Sequence, residues 1–306
     1  MTAPSRRHLV ALVGATASGK TEVAVEVARR LPVEVISADS RQVRAGMRVG
    51  TAAPTDEELA AVPHHLVGVV EPDAPWSLAE FLARARAALE DIWSRGKLPL
   101  VVGGTGQYVW ALLEGWQPPA VPPDPALRAR LEEAAARCGP APLIEELRAL
   151  DPDALARVDA RNPRRLIRAI EVARAGVSAP TVTPRDFTGQ VVGLHRDREV
   201  LHARADARAE RMVATGLLEE TRGLLERYPA DLPAFQSIGY AEAIRVLRGE
   251  WDLATAIARM KIETHRLIRM QATWFRADDP RIRWVDSDRS EDVVRAVEEA
   301  AAARVG

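Results

Sequence analysis

The chain has 306 residues, of which 47% are apolar, and its formal net charge at pH 7 is −1. This length and composition indicate one or two folded domains with an apolar core, and the near-neutral charge argues against a broadly basic protein that coats nucleic acid. The sequence has no apolar run of the ~20 residues that a membrane helix needs, and a single cysteine, Cys138, excludes an internal disulfide, so we expect a cytoplasmic protein with no membrane partner.

Short apolar stretches alternate with helical patterns over the first hundred residues. Residues 21–31 and 77–96 have apolar side chains at helical spacing. Strands and helices that alternate in this way predict a parallel sheet covered by helices on both faces. The strands predicted in this part of the chain are 8–14, 33–39, 64–70 and 98–104.

The pattern then changes. Residues 115–130 are dense in proline and indicate a boundary, residues 126–176 have helical spacing, and strand-like segments resume at 190–196 and 282–286. We therefore predict an α/β fold, a P-loop parallel sheet core flanked by helices, interrupted by an inserted all-helical domain. The predicted core is 1–115 and 189–306, and the predicted insertion is 116–188.

Residues 14–21 read GATASGKT and match G-x-x-x-x-G-K-[ST] between a predicted strand and a predicted helix. The glycines allow backbone N–H groups to face a phosphate chain, and the helix N-terminus adds partial positive charge. In this motif Lys20 reaches the outer phosphate oxygens and the Thr21 hydroxyl ligates Mg²⁺. The predicted diphosphate- or nucleotide-binding residues here are Gly14, Ala15, Thr16, Ala17, Ser18, Gly19, Lys20 and Thr21.

Asp39 ends the second predicted strand, and ligands bind at the carboxyl edge of a parallel sheet. A P-loop NTPase usually has a further acid at the end of another strand, but the strand at 98–104 ends in glycine. A lone carboxylate beside a phosphate chain is more plausible as a base for an incoming nucleophile. The alternative is that Asp39 caps the following turn, because Asp and Ser favour such turns.

These motifs belong to a longer pattern that resembles the bacterial tRNA dimethylallyltransferases, which prenylate the adenine beside the anticodon. The pattern spans nearly the whole chain in the family's order. Arg44 and Ala53 depart from it, since the family usually has tyrosine and lysine there. The matching blocks are GATASGKT, ISADSRQV, GMRVGTAAP, VPHHL, PLVVGGTGQYV, RNPRRLIRAIE, FQSIGY and QATWFR.

The resemblance implies that the loop holds dimethylallyl diphosphate, whose diphosphate leaves as the exocyclic amine of adenine attacks the allylic carbon. It implies modification of tRNAs that read codons beginning with U. Asp39 would accept the proton of the amine, while backbone amides, Lys20, Thr21 and Mg²⁺ would stabilise the departing charge. Among the arginines at helical spacing in 201–212, Arg208 is the first choice for a diphosphate clamp and Arg204 the second. Arg211 is more plausibly part of a solvated face.

The adenine must leave its stack to reach a buried diphosphate. Residues of two carboxyl-edge loops would wall its channel, namely Asp39, Ser40, Arg41, Gln42, Thr105 and Tyr108. A helix that starts at Asn162-Pro163 would direct Arg164, Arg165 and Arg168 to the anticodon stem-loop, unless this is a solvated helix face. Residues Gln236, Ser237 and Tyr240 would contact the anticodon loop, unless they form an ordinary connector.

Two other functions remain open from the residues alone. One is a small-molecule kinase with ATP in the loop, and the other is an RNA-binding adaptor with a relic loop. We expect a monomer, and we expect no metal at His64-His65, because neighbouring side chains on a strand point to opposite faces.

Overall fold

The computed structural model describes residues 7–177 and 181–303. Six parallel strands form one sheet in the order β3-β2-β4-β1-β7-β8, and two further strands form a short antiparallel ladder. The strands of the described ranges are β1 (Arg7–Gly14), β2 (Val33–Ser37), β3 (His64–His65), β4 (Leu98–Gly103), β5 (Trp116–Gln117), β6 (Thr181–Val182), β7 (Phe187–His195) and β8 (Ile282–Asp286).

Thirteen α-helices lie within the described part of the chain, and a 3-10 helix covers Pro233–Gln236. None of them is both long enough and apolar enough to span a lipid bilayer. The α-helices are α1 (Lys20–Ala28), α2 (Asp56–Ala61), α3 (Leu78–Ser94), α4 (Gly106–Glu114), α5 (Pro125–Cys138), α6 (Ala141–Leu150), α7 (Ala154–Arg157), α8 (Pro163–Arg174), α9 (Arg198–Ala214), α10 (Leu217–Leu225), α11 (Tyr240–Leu247), α12 (Leu253–Trp274) and α13 (Ser290–Ala302).

The central strands are buried on both faces, which confirms the α/β fold class. In β1, residues 9–14 are all buried, as expected for a parallel strand with helices on both sides. Helices α1 and α13 pack on one face with β1, β4 and β7, while α3 packs against β2 and β4. The third predicted strand is shorter than expected: it ends at His65, because Leu66 and Gly68 turn the chain with φ of 66° and 62°.

The chain divides into two compact units. The first comprises Met1–Leu113 and Arg185–Gly306, and the second Glu114–Pro184. The second unit contains α5 to α8, which bury a core rich in leucine and isoleucine. It also contains the β5–β6 ladder, which the sequence pattern did not predict, since these strands have two residues each.

Candidate active site

The phosphate loop lies between β1 and α1. Gly14 ends the strand, and Gly19, with φ of 97°, caps the helix that begins at Lys20. Ala17 has φ of 66°, which is uncommon for a residue with a Cβ. Its carbonyl oxygen accepts a hydrogen bond of 2.9 Å from Arg204 Nε, so a second element holds the loop in this conformation.

Lys20 is the first charged group of the loop. Its Nζ donates to the carbonyl oxygens of Gly14 and Ala15 at 3.0 and 2.8 Å. Burial lowers the pKa of Lys20 to about 8; Asp39 opposes this shift and Arg208 adds to it. An anion bound in the loop would raise this pKa again, because it would stabilise the ammonium form.

Three arginines of α9 lie beside the loop. Arg208 donates from a terminal guanidinium nitrogen to Thr16 Oγ1 at 2.6 Å, and Arg204 pairs with Glu22 at 3.2 Å. Burial lowers the pKa of Arg208, Asp39 raises it, and the nearby guanidinium groups lower it. Arg211, predicted to lie on a solvated face, is exposed but lines the same cavity as the other two. The loop therefore faces a concentrated positive charge.

Asp39 follows β2 at the carboxyl edge of the sheet. Its Oδ1 accepts the backbone N–H groups of Arg41 and Gln42 at 2.9 and 3.4 Å. The capping role considered from the sequence is therefore present. Asp39 is also half-buried and close enough to Lys20 and Arg208 to act on their pKa values. Asp39 Oδ1 accepts the hydrogen bonds of the turn, and the carboxylate as a whole remains close to the cationic groups of Lys20 and Arg208.

The glycine-rich loop after β4 interlocks with the loop after β2. A Cβ at Gly103 would lie 2.2 Å from the Ala38 carbonyl oxygen, and a Cβ at Gly104 would lie 2.1 Å from Gln271 Nε2. Thr105 Oγ1 accepts the N–H of Ser40 at 3.1 Å. Only glycine permits these approaches, so both interpretations of the segment, a tight turn and a wall of the site, agree with its geometry.

Gln271 connects the phosphate loop with the glycine-rich loop. Its Oε1 accepts the Thr16 N–H at 2.7 Å, and its Nε2 donates to the Gly104 carbonyl oxygen at 3.0 Å. No role for this residue was predicted from the sequence. A signal was present, because Gln271 continues a helical stripe with Met260, Thr264 and Ile268; the residue is 8% exposed in the structure. A buried amide in such a stripe needs partners.

Two cavities meet at Asp39. The phosphate-loop cavity, of about 1150 Å³, is lined by residues 19–22 and by the α9 arginines. The tryptophan-lined cavity, of about 290 Å³, is lined by Trp274, Thr105 and apolar side chains of α9 and α12. Both cavities are lined by Thr16, Lys20, Asp39, Thr51, Arg208 and Met212. Asp39 and Lys20 are thus accessible from either side.

The residues predicted to wall the adenine channel lie in different places. Ser40, Arg41 and Thr105 line the tryptophan-lined cavity. Gln42 lines the phosphate-loop cavity, but its Nε2 donates to the Ala52 carbonyl oxygen at 2.9 Å and its Oε1 accepts from Ser37 Oγ at 3.2 Å. Both ends of this amide already have partners within the protein, so it is less available to a base than the sequence suggested.

Tyr108 and Tyr240 are predicted to contact RNA, but both rings lie in the core. Tyr108 is 6% exposed, stacks on Phe81 with ring centroids 4.2 Å apart, and accepts a hydrogen bond from Trp76 Nε1. Tyr240 is 0% exposed and donates from its hydroxyl to Glu220. Gln236 is exposed and Ser237 is half-buried, at the end of the 3-10 helix.

In the second unit, Asn162 caps α8 as predicted and its side chain accepts the N–H of Arg164 at 3.1 Å. Arg164 and Arg165 are exposed, and their guanidinium groups make no hydrogen bond or ion pair with the residues that the structure describes, although Arg165 acts electrostatically on Asp159. Arg168 differs from them. It donates to the carbonyl oxygens of residues 119 and 121 at 3.1 and 2.9 Å and pairs with Glu171 at 3.1 Å. The Arg168 guanidinium group is therefore already bound within the protein and is less available to RNA than predicted.

The described ranges contain no group of three or more His, Cys, Asp or Glu side chains that could hold a metal ion. His64 bonds to the Val62 carbonyl oxygen, and His65 Nε2 lies 2.7 Å from Glu34 Oε2. Thr21 and Asp39 both line the phosphate-loop cavity. Such oxygen donors suit Mg²⁺, which usually keeps several waters and takes further ligands from substrate phosphates.

Comparisons with known proteins agree on one family. A family model described as IPP transferase matches residues 42–278, and one described as isopentenyl transferase matches residues 7–65. A tRNA dimethylallyltransferase of Chloroflexus aurantiacus is 52% identical over 274 residues, which is 88% of this chain and 93% of that protein. One of Anaeromyxobacter sp. is 45% identical over 302 residues, with 95% and 99% covered. The solved structure of a full-length tRNA isopentenylpyrophosphate transferase from Bacillus halodurans has a TM-score of 0.72 at 35% identity, with 97% of this chain and 98% of that one covered.

Proposed function

The chain belongs to the IPP transferase family, and we propose that it transfers the dimethylallyl group of dimethylallyl diphosphate to the exocyclic amine of the adenine adjacent to the anticodon of tRNA, releasing diphosphate. The observation that carries this proposal is the position of Asp39, a carboxylate that borders both cavities beside a cationic phosphate loop. A kinase reaction with ATP is not favoured, because β4 ends in Gly103 without the second acid that would hold a nucleotide's magnesium.

The donor fits the phosphate-loop cavity. Its diphosphate would receive charge-assisted hydrogen bonds from Lys20, Arg208 and Arg204 and would replace the loop carbonyls as the partner of the Lys20 ammonium. The Thr16 amide is already bonded to Gln271 and the Ser18 amide to the Ala15 carbonyl oxygen, so the N-terminus of α1 remains for the anion. Mg²⁺, held by Thr21 and the diphosphate, would neutralise part of the charge that develops on the leaving group.

The acceptor fits the tryptophan-lined cavity. An adenine extruded from its stack would enter beside Trp274 and Met270, and stacking on an aromatic side chain contributes about 1–3 kcal/mol per base. Thr105 and Ser40 line the same cavity close to Asp39. These groups would orient the amine toward the donor at the point where the cavities meet.

In the transfer, a bond forms between the adenine nitrogen and the allylic carbon while the carbon–oxygen bond to diphosphate breaks. The electron pair of the broken bond leaves on the diphosphate, where Lys20 and Arg208 stabilise it. Asp39 accepts the proton that the amine loses. Because Lys20, Arg208 and Asp39 all border both cavities, the site provides a partner for each of the two charges that this reaction creates.

The second unit would bind tRNA through Arg164 and Arg165. Their exposed guanidinium groups make no hydrogen bond or ion pair within the described chain, and arginine binds phosphate oxygens readily. We leave Arg168 out of this surface, because its guanidinium bonds to backbone carbonyls and to Glu171.

The test is incubation of the purified protein with unmodified tRNA, Mg²⁺ and dimethylallyl diphosphate labelled in the prenyl group. We expect label in the RNA and release of pyrophosphate in equal amounts. A protein that binds tRNA but incorporates no label would be an adaptor. A protein that converts ATP to ADP on a small acceptor, without label transfer, would be a kinase. Either result overturns the proposal.

A further inference from the structure

Glu220, in the first turn of α10, accepts hydrogen bonds from three consecutive backbone N–H groups. Its Oε2 lies 3.0 Å from Arg48 N and 2.9 Å from Val49 N, and its Oε1 lies 3.0 Å from Val49 N and 3.4 Å from Gly50 N. Consecutive N–H groups in such an arrangement form a concave anion site. Here the anion is a side chain of the protein itself, so the carboxylate fixes the conformation of residues 48–50.

Tyr240 also binds Glu220, and we call the contacts of Glu220 with Tyr240 and with residues 48–50 the clamp. The Tyr240 hydroxyl donates to Glu220 Oε1 at 2.5 Å, and the Tyr240 ring is fully buried. A Cβ at Gly50 would lie 2.5 Å from this ring, so glycine is needed for the loop to reach the carboxylate. The tyrosine of the FQSIGY block thus acts on residues 48–50 through Glu220.

The clamped segment forms part of the walls of the site. Residues 48, 49 and 51–54 line the phosphate-loop cavity, Gly50 lines the tryptophan-lined cavity, and Thr51 lines both. The Ala52 carbonyl oxygen is also fixed by Gln42 Nε2. The shape of the cavity that contains Thr21 and Arg208 therefore depends on a carboxylate about 170 residues further along the chain.

We infer that Glu220 is a positioning residue for the prenyl donor: it holds the wall at residues 48–54 in the shape that accepts dimethylallyl diphosphate. This inference rests on the proposed function, since it assigns the donor to the phosphate-loop cavity. Glu220 itself lines this cavity, but it does not bind the donor, because a carboxylate repels a diphosphate and its oxygens are already occupied by the loop and by Tyr240. Its influence passes through the loop.

The kinetic test replaces Glu220 by glutamine, which presents an NH₂ group to N–H donors in place of one oxygen. We expect KM for the donor to rise ~10-fold with kcat changed less than ~3-fold, because the wall contributes equally to the ground state and the transition state. KM for tRNA should change less than KM for the donor, because only Gly50 and Thr51 of the segment line the tryptophan-lined cavity. Tyr240→Phe removes one of the hydrogen bonds, so it should raise the donor KM less.

Glu219→Gln is the matched control. Glu219 lies in the same first turn of α10, so this variant loses the same favourable interaction with the helix dipole. Its side chain is exposed and has no hydrogen bond or ion pair within the described ranges. The control should keep the donor KM of the parent. If Glu220→Gln lowers the melting temperature and leaves the donor KM unchanged, Glu220 is only structural and the inference is wrong.

Amide hydrogen exchange in the free protein tests the clamp without the reaction. Residues 48–50 should exchange faster in Glu220→Gln than in the parent or in Glu219→Gln, because their N–H groups lose an acceptor. Equal exchange rates in all three proteins would overturn the inference. Absence of prenyl transfer in the parent protein would instead overturn the proposed function, and the exchange measurement would still report on the clamp.

Discussion

Replacement of Asp39 by asparagine separates its two roles. Asparagine retains a side-chain oxygen, so it can still accept the N–H groups of Arg41 and Gln42 that Asp39 binds at 2.9 and 3.4 Å. The turn should therefore persist. The substitution removes the basic oxygen and the negative charge, and loss of a general base typically reduces turnover by roughly 10²–10⁴-fold. We expect a loss in this range with little change in melting temperature.

The charge change has a second, measurable effect. Asp39 raises the pKa of Lys20, which burial brings to about 8. Without Asp39, Lys20 should lose its proton at a lower pH, and the affinity for the diphosphate should begin to decline at a lower pH than in the parent protein.

The assay is single-turnover prenyl transfer to tRNA at saturating donor, together with competition by inorganic pyrophosphate across pH. Asp39→Ala, which also loses the turn bonds, serves as the comparison and should show a lower melting temperature than Asp39→Asn. Turnover of Asp39→Asn within ~3-fold of the parent, well below the loss expected of a general base, would refute the assignment of Asp39 as the proton acceptor.

Three further predictions concern the loop and the RNA surface. The KM for the donor should rise as the pH increases past about 8, because the folded-state pKa of Lys20 is depressed to that value and the neutral amine binds diphosphate poorly. A donor KM that stays constant from below to well above that pH would contradict this role of Lys20. Gln271→Ala should lower the free energy of unfolding by about 1–3 kcal/mol for each backbone group left unpaired, measured by urea denaturation, and should reduce kcat/KM because it frees the phosphate loop from the glycine-rich loop. Arg164→Ala with Arg165→Ala should weaken tRNA binding and reduce its salt dependence by about two charges, measured by filter binding at several salt concentrations. Arg168→Ala should instead mainly reduce stability. An unchanged salt slope in the double variant would show that these two side chains belong to a solvated helix face that does not bind tRNA.

The fold and the phosphate loop were predictable because both depend on local sequence. Apolar strands that alternate with helical patterns specify a parallel sheet, and the motif at 14–21 lies between β1 and α1 as its spacing requires. Asn162 was recognised as a helix cap for the same reason, since capping depends on neighbouring residues.

The surroundings of a side chain could not be predicted where long-range packing decides them. Tyr108 and Tyr240 each follow a glycine-containing segment, and sequence spacing alone does not reveal that their rings face the core. Arg168 was grouped with exposed arginines, but its partners include carbonyls 47 and 49 residues earlier in the chain. Gln271 joins two loops from a distant helix, and the Thr16 amide that it accepts is 255 residues away.

The order of strands in the sheet has a consequence for synthesis of the protein. β1 pairs with β4 on one side and with β7 on the other, and Arg7 lies opposite Phe187. During synthesis on a ribosome, β1 therefore cannot pair with β7 until residues 114–184 have all emerged. The second unit is continuous in sequence and is complete before the first, so we expect it to fold early. Chaperones that shield an exposed strand edge should bind nascent chains that end before β7, and should release them once that strand has docked.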